Sequence, residues 1–256
     1  MRRLWMSLLA VPVVLALAVP TAASAKPDAP AEPGAAARPV AVTEPALAGA
    51  GQAHRFLRYG MHDQSVRSLQ KRLAALKYYP GPINGEFGID TQEAVWAFQE
   101  TQGLPGESYV DAAMWRALGH PRAPRVLVRG GGADRIEINL GDEVLVLYHN
   151  NRIELVSHVS TGGHYYFDCS AGGCAQAITP TGNFHTLSFL PGWVSVPLGY
   201  MYNPVFFIGT EFAIHGDVPV PLQPVSHGCV RIPMDIAAFF HTLVQVPGEP
   251  VYIRSP

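Results

Sequence analysis

What this 256-residue chain lacks narrows the reading before any motif is considered. A membrane-spanning helix needs about 20 apolar residues, and the apolar run Leu4 to Val19 falls short of that and is interrupted by Pro12. Charge is sparse: Asp, Glu, Lys and Arg make up 15% of the chain, the formal net charge is −2, and no basic face is evident. A nucleic-acid partner, which calls for clustered Lys and Arg, is therefore not expected. No H-E-x-x-H word or other recognisable zinc signature occurs, so the expectation is no metal and no cofactor. Cysteine is rare, three residues in all, and that odd count becomes informative once the compartment is read.

The N-terminus supplies the compartment. Met1-Arg2-Arg3 is basic, Leu4 to Val19 is apolar, and Ala23-Ser24-Ala25 is a small-residue cleavage site. This is the pattern of a secretory signal peptide over 1–25, and no cysteine near Ala25 offers a lipid anchor. Residues 26–54 are dominated by Pro, Ala and Gly and cannot bury enough apolar surface to offset chain entropy, so they read as a flexible tether. The implied location is secreted, outside the membrane, with no stable span after cleavage. Export makes disulfides available. Cys169 and Cys174 are close enough to close a Gly-containing loop, or to remain two thiols or metal ligands, while Cys229 stands apart.

Two folded units are expected. In residues 57–118, Val66, Leu69, Leu73 and Leu76 recur at helical spacing. Asp90-Thr-Gln-Glu93 offers a capping signal for a second helix through Gln102, with Val95 and Phe98 inward. Asp111 is placed to cap a short third helix carrying Met114, Trp115 and Leu118. Asn84-Gly85 and Gly88 read as positions needing positive φ. In residues 124–254 the period changes to alternation: Ile136 to Ile138, Val144 to Tyr148, Ile153 to Ser160 and Val251 to Ile253 are strand candidates. Only Pro233 to Val244 has a helical face, through Ile236, Phe239, Phe240 and Leu243. The fold class is thus α+β and multidomain, a small three-helix bundle followed by a mainly-β sandwich carrying one helix.

The chemistry gathers at Ser226-His227-Gly228-Cys229-Val230-Arg231, preceded by His215-Gly216. A thiol of ordinary pKa is mostly protonated at neutral pH and needs a base, a cation or a helix N-terminus to become a nucleophile. His215 or His227 supplies a base, Arg231 a cation, and the helix beginning at Pro233 a positive dipole end. Backbone N–H groups at Gly228 and Cys229 are candidate oxyanion donors. His215, Asp217, His227 and Cys229 are also ligand types that zinc accepts, the main rival to thiol chemistry. His54, His62, His149, His158, His185 and His241 read as surface or structural residues, and Tyr200, Met201 and Tyr202 as core or rim no less than as substrate contacts.

Two resemblances carry this further. Val66-x-x-Leu69-Gln70-x-x-Leu73, Asn84-Gly85-x-Phe87-Gly88-x-x-Thr91 and Ala94-Val95-x-x-Phe98-Gln99 resemble the helical peptidoglycan-binding domain of bacterial wall enzymes. Ser160-Thr161-Gly162, Thr179-Pro180-Thr181-Gly182-x-Phe184, Ala213-Ile214-His215-Gly216 and Ser226 to Arg231 resemble the L,D-transpeptidase, or YkuD, catalytic domain. The second resemblance implies a nucleophile at Cys229 and a general base at His215, oriented by a backbone carbonyl near Gly216. His227 and Gly228 would shape the nucleophile loop, with Ser226 and Arg231 in support. The implied partners are peptidoglycan stem peptides, and carbapenem β-lactams as acylating agents of Cys229. Cell-wall association follows from the pair. L,D-carboxypeptidase hydrolysis and an inactive wall-binding protein remain as alternatives.

Two departures from the family pattern stand out. Only ten residues separate His215 from Ser226, which implies a reduced lid. Arg231 occupies a position where some members have Asn, and either a substrate carboxylate or an acid such as Asp217 would pair with it.

Overall fold

The computed structural model describes residues 55–169 and 173–255. The expected leader at 1–25 and tether at 26–54 lie outside the described residues.

Strand β1 (Leu57–Arg58) pairs antiparallel with β2 (Tyr109–Val110) at the base of a helical unit. Helix α1 (Gln64–Ala75) starts at Asp63, whose side chain accepts from the N–H groups of Ser65 and Val66 at 2.8 and 3.1 Å. Helix α3 (Ala112–Gly119) is capped by Asp111, which accepts from Met114 N at 2.9 Å. The middle helix departs from the sequence reading. Helix α2 (Ile89–Gln102) is preceded by Gly88 in extended conformation and takes no side-chain cap, so Asp90 lies inside its first turn. There its carboxyl still faces the positive end of the helix dipole. Gly85 does take positive φ, at 86°, whereas Gly88, with φ −88°, does not.

Helix α2 is buried on nearly every side, including Gln92, Glu93, Gln99 and Gln102. Loop backbone satisfies the two later glutamines: Gln99 donates to Tyr109 O and accepts from Glu107 N, and Gln102 donates to Arg122 O and accepts from Arg122 N. Buried polar side chains persist where such partners exist. Periodicity exposed only Val95 and Phe98 because the other buried residues of α2 are polar or small.

The second unit opens with β3 (Arg135–Asn139), β4 (Val144–His149) and β5 (Arg152–His158), an antiparallel meander. Asn150 and Asn151 turn the chain between β4 and β5 with φ 51° and 60°. Strands β6 (Tyr166–Phe167) and β7 (Ala175–Gln176) form a small hairpin, with Cys169 and Cys174 disulfide-bonded beyond it. The chain continues through β8 (Gly182–His185), β9 (Ser188–Phe189), β10 (Trp193–Val196), β11 (Gly199–Ile208), β12 (Phe212–Asp217) and β13 (Val230–Pro233). Helix α4 (Met234–Leu243) and β14 (Pro250–Arg254) follow.

Among the described residues two five-stranded sheets make the sandwich, ordered β5-β4-β3-β14-β8 and β10-β11-β12-β13, with β9 on β11. Ile136, Ile138, Leu145 and Leu147 of the first sheet share one core with Val205, Phe207, Ile214, Val230 and Ile232 of the second. Ile236 and Phe240 of α4 join that core, while Phe239, half-buried, meets Tyr79 edge-on. The α+β reading holds.

Strand β4 explains how the helical unit attaches. Its odd-numbered leucines enter the sandwich, whereas Val144, Val146 and Tyr148 join Leu69, Leu73 and Phe98 in a second core. A strand covered on both faces needs an unbroken apolar run, which is what Val144-Leu-Val-Leu-Tyr148 is. The bundle is therefore packed onto its neighbour through a shared core, in addition to any role in wall binding.

Candidate active site

Strands β12 and β13 run parallel, with His215 opposite Arg231 and Ile214 opposite Val230. Alternation along a strand fixes what each face carries. Ile214, Val230 and Ile232 point into the sandwich core, so Ala213, His215 and Asp217 share the other face with Cys229 and Arg231. Cys229 sits one residue before β13 and is displaced along the strands by two positions from His215. A strand spacing of ~4.8 Å and a rise of ~3.3 Å per residue put those Cα atoms roughly 8 Å apart.

His215 is buried, 4% exposed, and its Nδ1 lies 3.0 Å from the carbonyl oxygen of Gly216. A carbonyl only accepts, so Nδ1 carries the hydrogen and Nε2 the lone pair. Burial lowers the imidazole pKa below its ordinary value, against the opposing hydrogen bond to Gly216 and the charge of Asp217, with Arg231 lowering it further. The ring is neutral at rest. Gly216 has its own steric reason: a Cβ there would lie 2.7 Å from Ala237 Cβ of α4. The His-Gly pair thus combines a polar face with room for a helix behind it.

Cys229 is the free cysteine and is partly buried beside Met201, Phe206 and Ala213. Burial pushes its thiol pKa up, outweighing a backbone hydrogen bond from Ala213 and the charge of Arg231. The sequence reading looked for a thiolate; the resting site instead holds a thiol, with Sγ donating weakly to Glu211 O at 3.5 Å. The helix dipole does not reach it. Pro233 is the N-cap of α4, and the whole of β13 separates that helix from Cys229, roughly 13 Å of extended chain. A dipole effect fades within the first turn.

The nucleophile loop is tied by its own serine. Ser226 Oγ donates to Cys229 O at 2.6 Å and accepts from Gly228 N at 3.0 Å. The Gly228 N–H is thereby already hydrogen-bonded to Ser226 within the loop. Gly228 has φ +144°, and a Cβ there would approach Phe212 Cε1 to 2.6 Å and Ile178 O to 2.8 Å. Ser226 N donates to Thr161 O, and Gly163 N to Ser226 O. Thr179 Oγ1 accepts from Gly162 N at 2.9 Å and donates to Gly228 O at 2.8 Å. Thr179, which as bare sequence is a turn residue, therefore joins the Ser160-Thr161-Gly162 strand end to the nucleophile loop. Behind them Glu143 accepts from both Thr161 N and Thr161 Oγ1. Nothing local in the sequence marks Glu143, because it acts across 18 residues.

The remaining candidates are placed less centrally. His227 is half-buried, with the rings of Phe167 and Tyr165 edge-on to it at 4.6 and 5.6 Å, so the disulfide-bearing hairpin grips it. Arg231 Nε lies 3.1 Å from Asp217 Oδ2, the second of its two expected partners. Met201 lies buried under Cys229, Tyr202 packs against the main core, and Tyr200 is exposed. Among the described residues no three His, Cys, Asp or Glu side chains cluster as a metal site, and no helix is long and apolar enough to cross a membrane.

Cys229 and the buried, neutral His215 thus lie on one face of a parallel strand pair. Comparison with known proteins identifies both domains. Residues 62–118 match the peptidoglycan binding domain, and residues 133–253 match YkuD, the L,D-transpeptidase catalytic domain. The chain thus carries an L,D-transpeptidase catalytic domain beside a peptidoglycan-binding domain. It is similar to the solved L,D-transpeptidase of Xylanimonas cellulosilytica DSM 15894, at 28% identity and TM-score 0.72, over 78% of this chain and 98% of that one. An L,D-transpeptidase from Stackebrandtia nassauensis matches at 16% identity and TM-score 0.44, over 78% and 97%. One from Mycobacterium smegmatis matches at 18% and 0.38, over 48% and 59%. A search of curated proteins gave no match.

Proposed function

We propose that this enzyme is a secreted, wall-bound, cysteine-dependent L,D-transpeptidase that forms 3-3 cross-links in peptidoglycan. The observation that carries the reading is the His215 imidazole, buried and neutral, with Nδ1–H held by Gly216 O and Nε2 left basic on the face that bears Cys229. His215 takes the thiol proton as Sγ attacks the carbonyl of the third residue in a tetrapeptide stem. The S–C bond forms, the C–N bond to the terminal D-Ala breaks, and His215 returns the proton to the leaving amine. An amine of a neighbouring stem then gives up a proton to His215, attacks the thioester carbonyl and releases the thiol. With Gly228 N–H committed to Ser226, the Cys229 N–H is the oxyanion donor at the loop.

Ser226, Gly228, Thr179 and Gly216 hold this geometry, and the Arg231–Asp217 pair borders it. The leader at 1–25, the tether at 26–54 and the Cys169–Cys174 disulfide agree with an oxidising, extracytoplasmic location. The domains read as 57–118 for wall binding and 124–254 for catalysis. A carbapenem carbonyl is a substrate-like electrophile for the same sulfur. Incubation with tetrapeptide muropeptides, read by mass, tests the assignment. Cross-linked dimer supports transfer, tripeptide alone indicates an L,D-carboxypeptidase, and unchanged substrate indicates a binding protein.

A further inference from the structure

The loop that joins the His215 strand to the nucleophile loop is held by the helical unit. After Asp217 the chain passes through Val218-Pro219-Val220-Pro221 before reaching Ser226. Three of the ten residues between His215 and Ser226 are prolines, whose nitrogens have no hydrogen to donate, so few backbone donors remain to anchor the segment. One of them, Val220 N–H, donates to Glu93 Oε1 of α2 at 3.0 Å across 127 residues of sequence. Val220 is fully buried and Glu93 is 3% exposed.

A second tie lies one residue on. His158 of β5 is wholly buried, and its Nε2 lies 3.1 Å from Pro221 O, an atom that only accepts. Its Nδ1 lies 2.8 Å from Glu100 Oε1, also of α2. Pro221 O only accepts, so Nε2 carries the hydrogen aimed at it, while burial lowers the histidine pKa and raises that of Glu100 beside Nδ1. A third contact comes from the segment after α2: a Cβ at Gly106 would strike Leu222 Cδ2 at 2.8 Å. On the opposite side Ser160 Oγ donates to Gln223 O and accepts from Val225 N.

We infer that Glu93 and the Glu100–His158 pair are positioning residues for the 218–225 loop, and that the peptidoglycan-binding unit thereby sets the geometry of the catalytic centre. The unit's wall-facing role is separate from this one, since α2 presents these carboxylates inward. A site whose base and nucleophile lie at the two ends of one short loop depends on that loop's register. Misplacement of about 1 Å costs roughly 100-fold in rate.

The test uses the full chain and rests in part on the thiol reading above, so it has two readouts. Glu93→Leu removes the acceptor of Val220 N–H, and Glu93→Gln retains one. His158→Phe removes the donor to Pro221 and the partner of Glu100 while leaving the α2 sequence itself unchanged. The first readout is hydrogen exchange of peptides covering 218–229, which does not depend on any chemistry. The second is the rate of Cys229 acylation by imipenem, followed by mass. The expected result is faster exchange in 218–229 for E93L and H158F, with acylation slowed roughly 10- to 100-fold and E93Q recovering most of both. Should wild-type Cys229 not acylate at all, the thiol reading fails while the exchange readout still judges the clamp. Unchanged exchange in 218–229 in both E93L and H158F, with the thermal transition retained, would overturn the inference. If E93L does not fold, H158F against wild type decides.

Discussion

Ser226 and Cys229 are joined by a 2.6 Å hydrogen bond from the serine hydroxyl to the cysteine carbonyl, three residues apart. Ser226 Oγ also accepts from Gly228 N, so one side chain satisfies two backbone groups of the loop that presents the sulfur. Ser226→Ala leaves both without their partner. Each buried orphan costs about 1–3 kcal/mol, so urea unfolding should show a clear loss of stability. Acylation of Cys229 should slow in parallel. A variant with wild-type stability and rate would show that the hydroxyl does not hold the loop.

Gly216→Ala places a methyl 2.7 Å from Ala237 Cβ. Overpacking of this kind costs about 1–3 kcal/mol, and it would also displace the carbonyl that holds His215 Nδ1. The double variant G216A/A237G should recover part of the loss, limited by the cost of about 1 kcal/mol for glycine inside a helix. Thermal melts of the four proteins measure the coupling, and strict additivity would argue against a direct clash.

Much of this was readable in the sequence, and the reason differs by residue. The Ser226-to-Arg231 and His215-Gly216 words lie at strand ends where local backbone needs and chemistry coincide, so residue type alone marks them. Helices α1 and α3 were visible as apolar patterns because burial follows period, and β4 as an unbroken apolar run. Glu93, Glu100, Glu143 and His158 were not visible. Their partners lie 127, 58 and 18 residues away, and a polar residue buried by tertiary contact looks like a surface residue until the fold is known. The helix-dipole expectation failed for a simpler reason: β13 intervenes between Cys229 and α4.

Stability should fall as pH rises towards and through about 7 and level off above it. Burial raises the pKa values of Glu93, Glu143 and Asp235 to about 7, whereas in the unfolded chain these groups ionise at about pH 4. Between those values the folded state binds more protons, so the stabilisation is present at low pH and is lost as pH climbs through about 7. His158 and His215, lowered by burial, act in the opposite sense, but their effect is largely complete above the ordinary imidazole value of about 6.5. Melting temperatures should therefore decline from about pH 6.5 through about 7 and flatten by about pH 8. A rising series would contradict the assignment of buried protonated carboxyls.

The reaction should follow the two perturbed groups of the site. Because His215 is lowered, it stays a competent base to below the ordinary imidazole range, and acylation should lose rate only at more acid pH. Because the Cys229 thiol is raised, its alkylation by iodoacetamide should climb steadily into the alkaline range. A thiolate-like plateau at neutral pH would indicate a preformed ion pair instead.

The central claim is that Cys229 carries the acyl group and His215 moves its proton. Intact mass of the full chain after exposure to imipenem, for wild type, Cys229→Ala and His215→Ala, tests it most directly. The account predicts one adduct on wild type mapped to Cys229, none on C229A, and an adduct on H215A that forms at least about 100-fold more slowly. An adduct on C229A of equal extent, or wild-type kinetics in H215A, would contradict it.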